Sequence, residues 1–521
     1  MKRPVNPFLD FKPTEQREPK KESPYSQKEL RDLLFAQDKR LLKAARDLAQ
    51  AIQDLPQNPN YPNTKPRALL NGGFIRDAIL GKTAKDVDLE IYGVSPENLM
   101  AVLRRLYPKI ALVGESFAVI KVTVAQGLEL DVALPRREKK VGNSRKDFEV
   151  ESDPAMTLEE ATSRRDFTIN AMLADPMTGE VFDLHGGLQD LHDRVLRITD
   201  PIRFEEDELR VLRGVQFAAR MNLTIEPTTW NQLTSIVERG ALKKLSTDRV
   251  REEFTKLLLK GVQPSKGLEL LRDLGILQSE YPALSAIAEA ADNGDPTWDR
   301  LLRRVDIAGQ MIKQEPFAHD EKAKMRIMFA ALCADMSDAP TNVVRTSNMK
   351  TASTNGKQQS PAASLLLGSW NHARDDASAI LGMIRERHQP HAAHEVWRRR
   401  IVDDQNYANF IRMILKRLHP ASMDELLAVA EAEWRTTTDT QPNTSYLPSE
   451  KFRCIITDFA LDTTDPKKTL LSGAELQELG VPTGPQMGKI FREIEDMRDA
   501  GKIVTREDAL EEAKRLIAES K

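Results

Sequence analysis

Two cysteines in 521 residues, Cys333 and Cys454, are too few and too far apart for a disulfide framework, and neither sits in a CxxC or Cys/His cluster that would hold zinc. A reducing, cytoplasmic environment suits such a chain. Aromatic residues make up only 6%, which argues against an extended stacking platform for single-stranded nucleic acid. No apolar run approaches the roughly 18 residues that cross a bilayer, and the polar N-terminal region has no signal-peptide core, so no membrane partner is expected. Charge of one sign is missing too: 76 Lys and Arg against 79 Asp and Glu leave a net charge of −3. A nucleic-acid partner would have to be held by local patches, not by a global field. No repeat of fixed period is present. What remains, 40% apolar and 30% charged, is a soluble globular composition, with length for three or four domains at about 100–200 residues each.

Residues 1–26, with Pro13, Pro19 and Pro24 among lysines and glutamates, have too little apolar content to fold and are predicted to be disordered. The spacing of Leu30, Leu33, Leu34, Leu41, Leu42 and Ala45 predicts a helix over 27–52. Strands are expected at 68–70, 86–93, 118–124 and 128–133, with helices at 74–80 and 96–106. The basic segment PRREKKVGNSRKD, 135–147, reads as a solvated, mobile loop. From residue 158 helical patterning dominates: at 158–163, through RRDFTINAML, and across 201–222 after a DLHGG turn. Residues 341–363, rich in Ser, Thr, Asn, Gln and Gly, read as a disordered insertion, and 436–449 as a linker. Mixed strands and helices followed by helices alone indicate an α/β or α+β head with a helical remainder.

The stretch NGGFIRDAILGKTAKDVDLEIYG, 71–93, carries the first chemistry. The pair Gly72 and Gly73 lets backbone approach phosphate, and a helix N-terminus presents free N–H groups to it. In the following strand, Val87, Leu89 and Ile91 share one face, so Asp86, Asp88 and Glu90 share the other. Two such carboxylates can hold a divalent metal; the same pattern also describes an acidic strand facing water. In SRRDFTINA, Arg165 and Asp166 stand at the start of a helical pattern, where they suit phosphate and ribose or simply cap the helix. In FEEDELRVLRGVQFAAR, Asp207, Arg210 and Arg213 recur every three residues along one helix face. That is either a solvated ion-pair stripe or a reader of bases. Cytosine and adenine each show an amino donor beside a ring-nitrogen acceptor, which an accepting Asp and a donating Arg would match, while uracil and guanine would be refused.

The ordered set GGFIRD, KDVDLEIYG, SRRDFTINAML, DLHGGLQDL, EDELRVLRGVQFAAR and STDRVREEFTKLL resembles the class II nucleotidyltransferases, which comprise CCA-adding tRNA nucleotidyltransferases and bacterial poly(A) polymerases. The resemblance implies a polymerase-β-like nucleotidyltransferase head followed by an all-helical neck, body and tail. It places the head at 27–196, the neck at 197–262, the body at 263–340 and the tail at 364–521. It further implies that Gly73 and Arg76 hold the nucleotide phosphates, that Asp86 and Asp88 bind two Mg²⁺ ions, and that Arg165 and Asp166 contact the nucleotide. Asp207 and Arg210 would read the base edge, Arg213 would assist at the phosphates, and Asp131 matches a further acidic position near the metals. The implied activity is transfer of CMP and AMP from CTP and ATP to tRNA; poly(A) synthesis, CC-only or A-only addition, and a non-catalytic RNA binder are the alternatives.

Departures from the family pattern are specific. Gln216 stands where an arginine is frequent, and Asp248, where glutamate is common, is expected to brace the base-reading helix through Arg249. MRIMFAALCADMSD resembles the metal-binding helix of an HD phosphohydrolase domain, but Ala334 replaces the histidine and only Asp335 remains, which implies a scaffold without phosphatase activity. His319 and Asp320 form a chance His-Asp pair in a loop. The segment from Leu470 onward resembles the tRNA-elbow-binding tail of CCA-adding enzymes, and Arg398, Arg399, Arg400, Lys416 and Arg417 are candidate RNA-backbone contacts.

Overall fold

The computed structural model describes residues 23–84, 86–113, 119–140, 148–338, 361–369, 372–437, 444–459, 469–499 and 505–519, with 461, 463, 502 and 503. Most of the leader, most of the 341–363 insertion, 141–147 of the basic segment and 438–443 of the linker therefore lie outside the described residues. Two compact units divide at Met1–Lys244 and Leu245–Lys521.

The first unit opens with α1 (Gln27–Phe35) and α2 (Lys39–Gln53). The single helix expected over 27–52 is broken because Asp38 leaves helical geometry and accepts hydrogen bonds from the Arg40 and Leu41 N–H groups, capping α2. Then come β1 (Arg67–Asn71), α3 (Gly73–Ile79), β2 (Asp86–Tyr92), α4 (Pro96–Leu106), β3 (Ile110–Val113), β4 (Val119–Ala125) and β5 (Leu128–Ala133). The hairpin β6 (Arg136–Lys140) and β7 (Phe148–Ser152) precedes α5 (Leu158–Ser163), β8 (Met172–Ala174) and β9 (Val181–Asp183). Seven strands form one sheet in the order β3-β4-β5-β2-β1-β8-β9, parallel only between β2 and β5.

The helix expected through RRDFTINAML is instead a 3-10 turn at Thr168–Asn170 leading into β8, which pairs with β1. All three β8 residues are buried, and a short run buried on both faces carries no alternation to distinguish strand from helix. Leucines of α1, α2 and α4 cover the sheet face that bears Val87, Leu89 and Ile91. Each of those three aliphatic side chains, fully buried, contributes about 1.5–3 kcal/mol. That packing fixes the register, and so turns Asp86, Asp88 and Glu90 to the opposite face.

Beyond β9 follow α6 (Gly187–His192), β10 (Val195–Leu196), α7 (Pro201–Phe204), α8 (Leu209–Met221), β11 (Thr224–Ile225) and α9 (Pro227–Glu238), with β10 and β11 paired in parallel. The expected 201–222 helix is thus two. Asp207 lies in the break, where its Oδ1 accepts from the Leu209 N–H at 3.1 Å, a local bond that competes with continuous helix.

In the second unit every described element from Thr247 onward is helical. Helices Thr297–Met311, Glu321–Cys333, Arg374–Glu386 and Met423–Thr437 supply buried side chains to its interior. Leu471, Leu476, Ile490, Ile494 and Ala513 make a separate small core near the C-terminus. Asp320 caps Glu321–Cys333, which accounts for the His-Asp pair without a ligand role. Asp248 pairs with Arg251 in its own helix at 3.3 Å. Lys416 and Arg417 pair with Glu495 at 2.7 Å and Glu386 at 2.9 Å. Among the described residues no helix is long and apolar enough to cross a membrane.

Candidate active site

At the end of β1 the chain turns through Gly72, whose φ is +39° and whose N–H donates to the Met172 carbonyl at 3.0 Å. A Cβ there would lie 2.7 Å from the Asn170 carbonyl oxygen, so this turn is open only to glycine. Arg76, one turn into α3, is 5% exposed. Its Nε donates to Asp77 at 2.9 Å, one terminal nitrogen donates to the Asn170 side-chain oxygen, and its guanidinium carbon lies 5.3 Å from the Phe217 ring centre.

The acidic face is set by pairing. Asp88 lies opposite Asp131 and Asp86 opposite Glu129 across β2 and β5, and Lys121 lies opposite Asp131 across β4 and β5. The Lys121 ammonium donates to both Asp131 oxygens at 3.0 and 3.1 Å and to Glu129 at 3.2 Å. Glu90, two residues beyond Asp88 on the same face, is buried and accepts from the Tyr92 hydroxyl at 2.8 Å and from Arg165 at 3.2 Å. Burial among protein groups pushes the Asp88 carboxyl up to about 6; Arg165 opposes the rise, and the charges of Asp131 and Asp86 add to it. Solvent nevertheless reaches both Asp86 and Asp88.

Among the described residues no three His, Cys, Asp or Glu side chains close into a metal cage. Two open carboxylates one residue apart, with the third acid held by a lysine, instead suit a cation whose shell is completed by water and substrate oxygens. Mg²⁺ is usually held in that way.

Around the glycine turn, Asp166 is 7% exposed. Its Oδ1 accepts from the Phe167 N–H at 2.8 Å and the Asn170 amide at 2.9 Å, and its Oδ2 accepts from Arg213 at 2.8 and 2.7 Å. Burial acts to raise this carboxyl, but Arg213 and the hydrogen bonds outweigh it and hold the group below its ordinary range. Arg213 also lies 5.1 Å from the Phe217 ring centre, so Phe217 is flanked by two guanidinium groups. Arg210 donates to the carbonyls of Arg203 at 2.7 Å and Arg164 at 2.8 Å, fixing the start of α8 to α7 and to the SRRD turn.

The structure thus brings Gly72, Gly73, Arg76, Arg165, Asp166 and Arg213 into one neighbourhood, with Asp86 and Asp88 on the adjoining sheet face. Asp207 does not share a helix face with Arg210 and Arg213, since it precedes α8. Arg165 and Asp166 do not begin a helix. Gln216, at 2% exposure, is a packing residue with its Nε2 lacking a hydrogen-bond partner. Sequence reasoning did not single out Glu90, Asn170, Phe217 or Lys121. The strand alternation marks Glu90, and a spacing of four from Asp166 is the available signal for Asn170. A cavity of about 750 Å³ lies elsewhere, at the opposite ends of β1 and β2, beside Lys65, Arg67, Tyr92 and Thr157.

Residues 68–197 match the family described as the poly A polymerase head domain, and 222–287 match the probable RNA and SrmB-binding site of polymerase A. The chain is 35% identical over 280 residues to the multifunctional CCA protein of Xylella fastidiosa strain M23, covering 53% of this chain and 63% of that protein. It is 39% identical over 277 residues to the multifunctional CCA protein of Xanthomonas campestris pv. campestris strain B100, covering 52% and 63%. The chain therefore spans just under two thirds of the length of these relatives. In fold it is similar to the Bacillus stearothermophilus CCA-adding enzyme in complex with CTP, with a TM-score of 0.60, 21% identity, and 94% and 99% of the two chains covered. The Thermotoga maritima CCA-adding enzyme complexed with tRNA gives 0.53, 20%, 94% and 98%.

Proposed function

We propose that this chain, whose residues 68–197 match the poly A polymerase head domain, is a class II nucleotidyltransferase that adds CCA to tRNA 3′ ends from CTP and ATP without a nucleic-acid template. The observation that carries the reading is the pair of open carboxylates, Asp86 and Asp88, beside the glycine turn and the buried Arg76. Two Mg²⁺ ions held at Asp86 and Asp88 would neutralise the triphosphate and acidify the RNA 3′-hydroxyl. The rest is done by the chain. Gly72 and Gly73 keep backbone free for the phosphates, Arg76 and Arg213 supply positive charge behind them, and Arg165 and Asp166 contact the nucleotide. Asp131, beside Asp88 on the adjacent strand and tied to Lys121, would join a metal only by exchanging its lysine. Asp207 and Arg210 would offer an acceptor and a donor to the base edge, with Arg210 anchored at the carbonyls of Arg203 and Arg164.

On the same reading 197–262 is a neck, and the body at 263–340 is a scaffold without phosphatase activity, its Asp335 being committed to Arg304. The enzyme works in the cytoplasm. Poly(A) synthesis is the second reading, favoured by the match of 222–287 to the RNA-binding segment of polymerase A. The two separate when tRNA lacking its 3′ CCA is incubated with Mg²⁺ and with CTP and ATP, singly and together. Addition that stops after three nucleotides in the order C, C, A is the expected result; a long A tail on unrelated RNA would assign the chain to the polymerases.

A further inference from the structure

Arg76, Asn170, Asp166 and Arg213 form one continuous polar chain. The Asn170 side-chain oxygen accepts from Arg76, its amide donates to Asp166 Oδ1 at 2.9 Å, and Asp166 Oδ2 accepts from Arg213 at 2.8 Å. Three elements that are distant in sequence are joined in this way: α3, the SRRDFTINA turn and α8. Asn170, like Asp166, is 7% exposed, so its bonds are not exchanged for water. The orientation of its carboxamide is dictated by its neighbours, since only an oxygen toward the guanidinium and an amide toward the carboxylate satisfy both ends. Its backbone is engaged too, because the Asn170 carbonyl is the group that would meet a Cβ on Gly72 at 2.7 Å. One residue therefore sets both the shape of the glycine turn and the direction of the Arg76 guanidinium. With Nε on Asp77 and one terminal nitrogen on Asn170, the other terminal nitrogen stands 3.6 Å from where a Cβ on Gly73 would be.

We propose that Asn170 is a positioning residue that holds Arg76 and the Asp166–Arg213 pair in register, so that both arginines meet an incoming nucleoside triphosphate as one preorganised unit. The inference rests on the nucleotidyltransferase reading and adds a residue to it. A nucleotide that engages Arg76 loads a guanidinium already fixed on three sides, so little ordering remains to be done on binding.

The test is steady-state kinetics with tRNA lacking its terminal nucleotides, for wild type, Asn170→Ala and Asn170→Asp, alongside circular dichroism and thermal melting. Misplacement of this kind costs about 10- to 100-fold in kcat/KM. The loss is expected chiefly in KM, equally for CTP and ATP, with UTP still refused, because base choice is assigned to Asp207 and Arg210 and not to Asn170. Asp is isosteric with Asn but turns a carboxylate oxygen toward Asp166, so Asn170→Asp should be worse than Asn170→Ala. A role in shape alone gives the reverse order. Asn170→Asp at wild-type KM, or better than Asn170→Ala, overturns the proposal when both variants melt as folded proteins. Wild type that turns over neither CTP nor ATP would instead overturn the functional reading.

Discussion

Both units gather carboxylates, and they treat them in opposite ways. In the second, Asp335 and Glu433 close on Arg304, whose side chain is fully buried and whose Nε also donates to the Ala331 carbonyl at 2.8 Å. The protein supplies its own cation and leaves nothing for an ion to do. In the first, Asp86 and Asp88 stay open while the cations around them are spent elsewhere, Lys121 on Asp131 and Glu129 and Arg165 on Glu90. The Asp88 carboxyl is pushed up to about 6, chiefly by burial, with the neighbouring charges of Asp131 and Asp86 adding to the rise that Arg165 opposes. Acids that serve the fold are neutralised in place; on the proposed reading, the acids left unneutralised beside the glycine turn await charge from outside.

Removing the open acids should have the largest effect. Loss of metal-assisted charge stabilisation is worth several kcal/mol, so Asp86→Ala or Asp88→Ala should cut nucleotide incorporation by roughly 10³-fold or more while tRNA binding persists. Normal turnover in either variant would break the comparison at its stronger end. Next is Arg304→Met, which strands two carboxylates in the interior and should cost about 3–5 kcal/mol in denaturant unfolding. Replacing Asp335 and Glu433 by leucine in the same chain should return much of that loss. Equal stability of Arg304→Met and wild type would show that the triad is not neutralised as described.

A smaller effect is expected at the base-reading end. Asp207→Ala or Arg210→Ala should weaken discrimination against UTP by roughly 10- to 100-fold, the worth of one or two lost hydrogen bonds, with little change in phosphate affinity. Unchanged refusal of UTP would remove the role. Smallest is a pH effect in the second unit, where burial, and then Arg251, lowers His372 to about 4. Below its ordinary 6.5 the unfolded chain takes up a proton that the folded chain refuses, so stability should fall as pH drops from 6.5 toward 4. Urea midpoints across that window should fall less steeply for His372→Leu.

In the head, β1, β2, β4 and β5 are legible in the sequence, whereas β3, β8 and β9 are not, and Arg136–Lys140 of the expected basic loop forms β6. Val87, Leu89 and Ile91 mark a buried face by their spacing alone, with Asp86 and Asp88 opposite. What was not legible arose where local patterns are weakest. Asp38 and Asp207 each break an apolar helical run with a side-chain-to-backbone bond, so two helices became four. β8 is too short and too buried to show a period, so in sequence the SRRDFTINA turn looks like the start of a helix. Glu90 followed the same alternation as its neighbours, yet its pairing with Arg165 depends on a partner 75 residues away. Arg304 gave no local signal at all, since its two acids come from elements distant in sequence.

The most direct test is a Mn²⁺ titration followed by electron paramagnetic resonance, with a non-hydrolysable CTP analogue present, on wild type and on Asp86→Asn combined with Asp88→Asn. The expected result is tight Mn²⁺ binding in wild type and none in the double variant, with both proteins folded. Equal binding by the two would place the metal elsewhere in the molecule and contradict the assignment of Asp86 and Asp88 as the acids kept open for it.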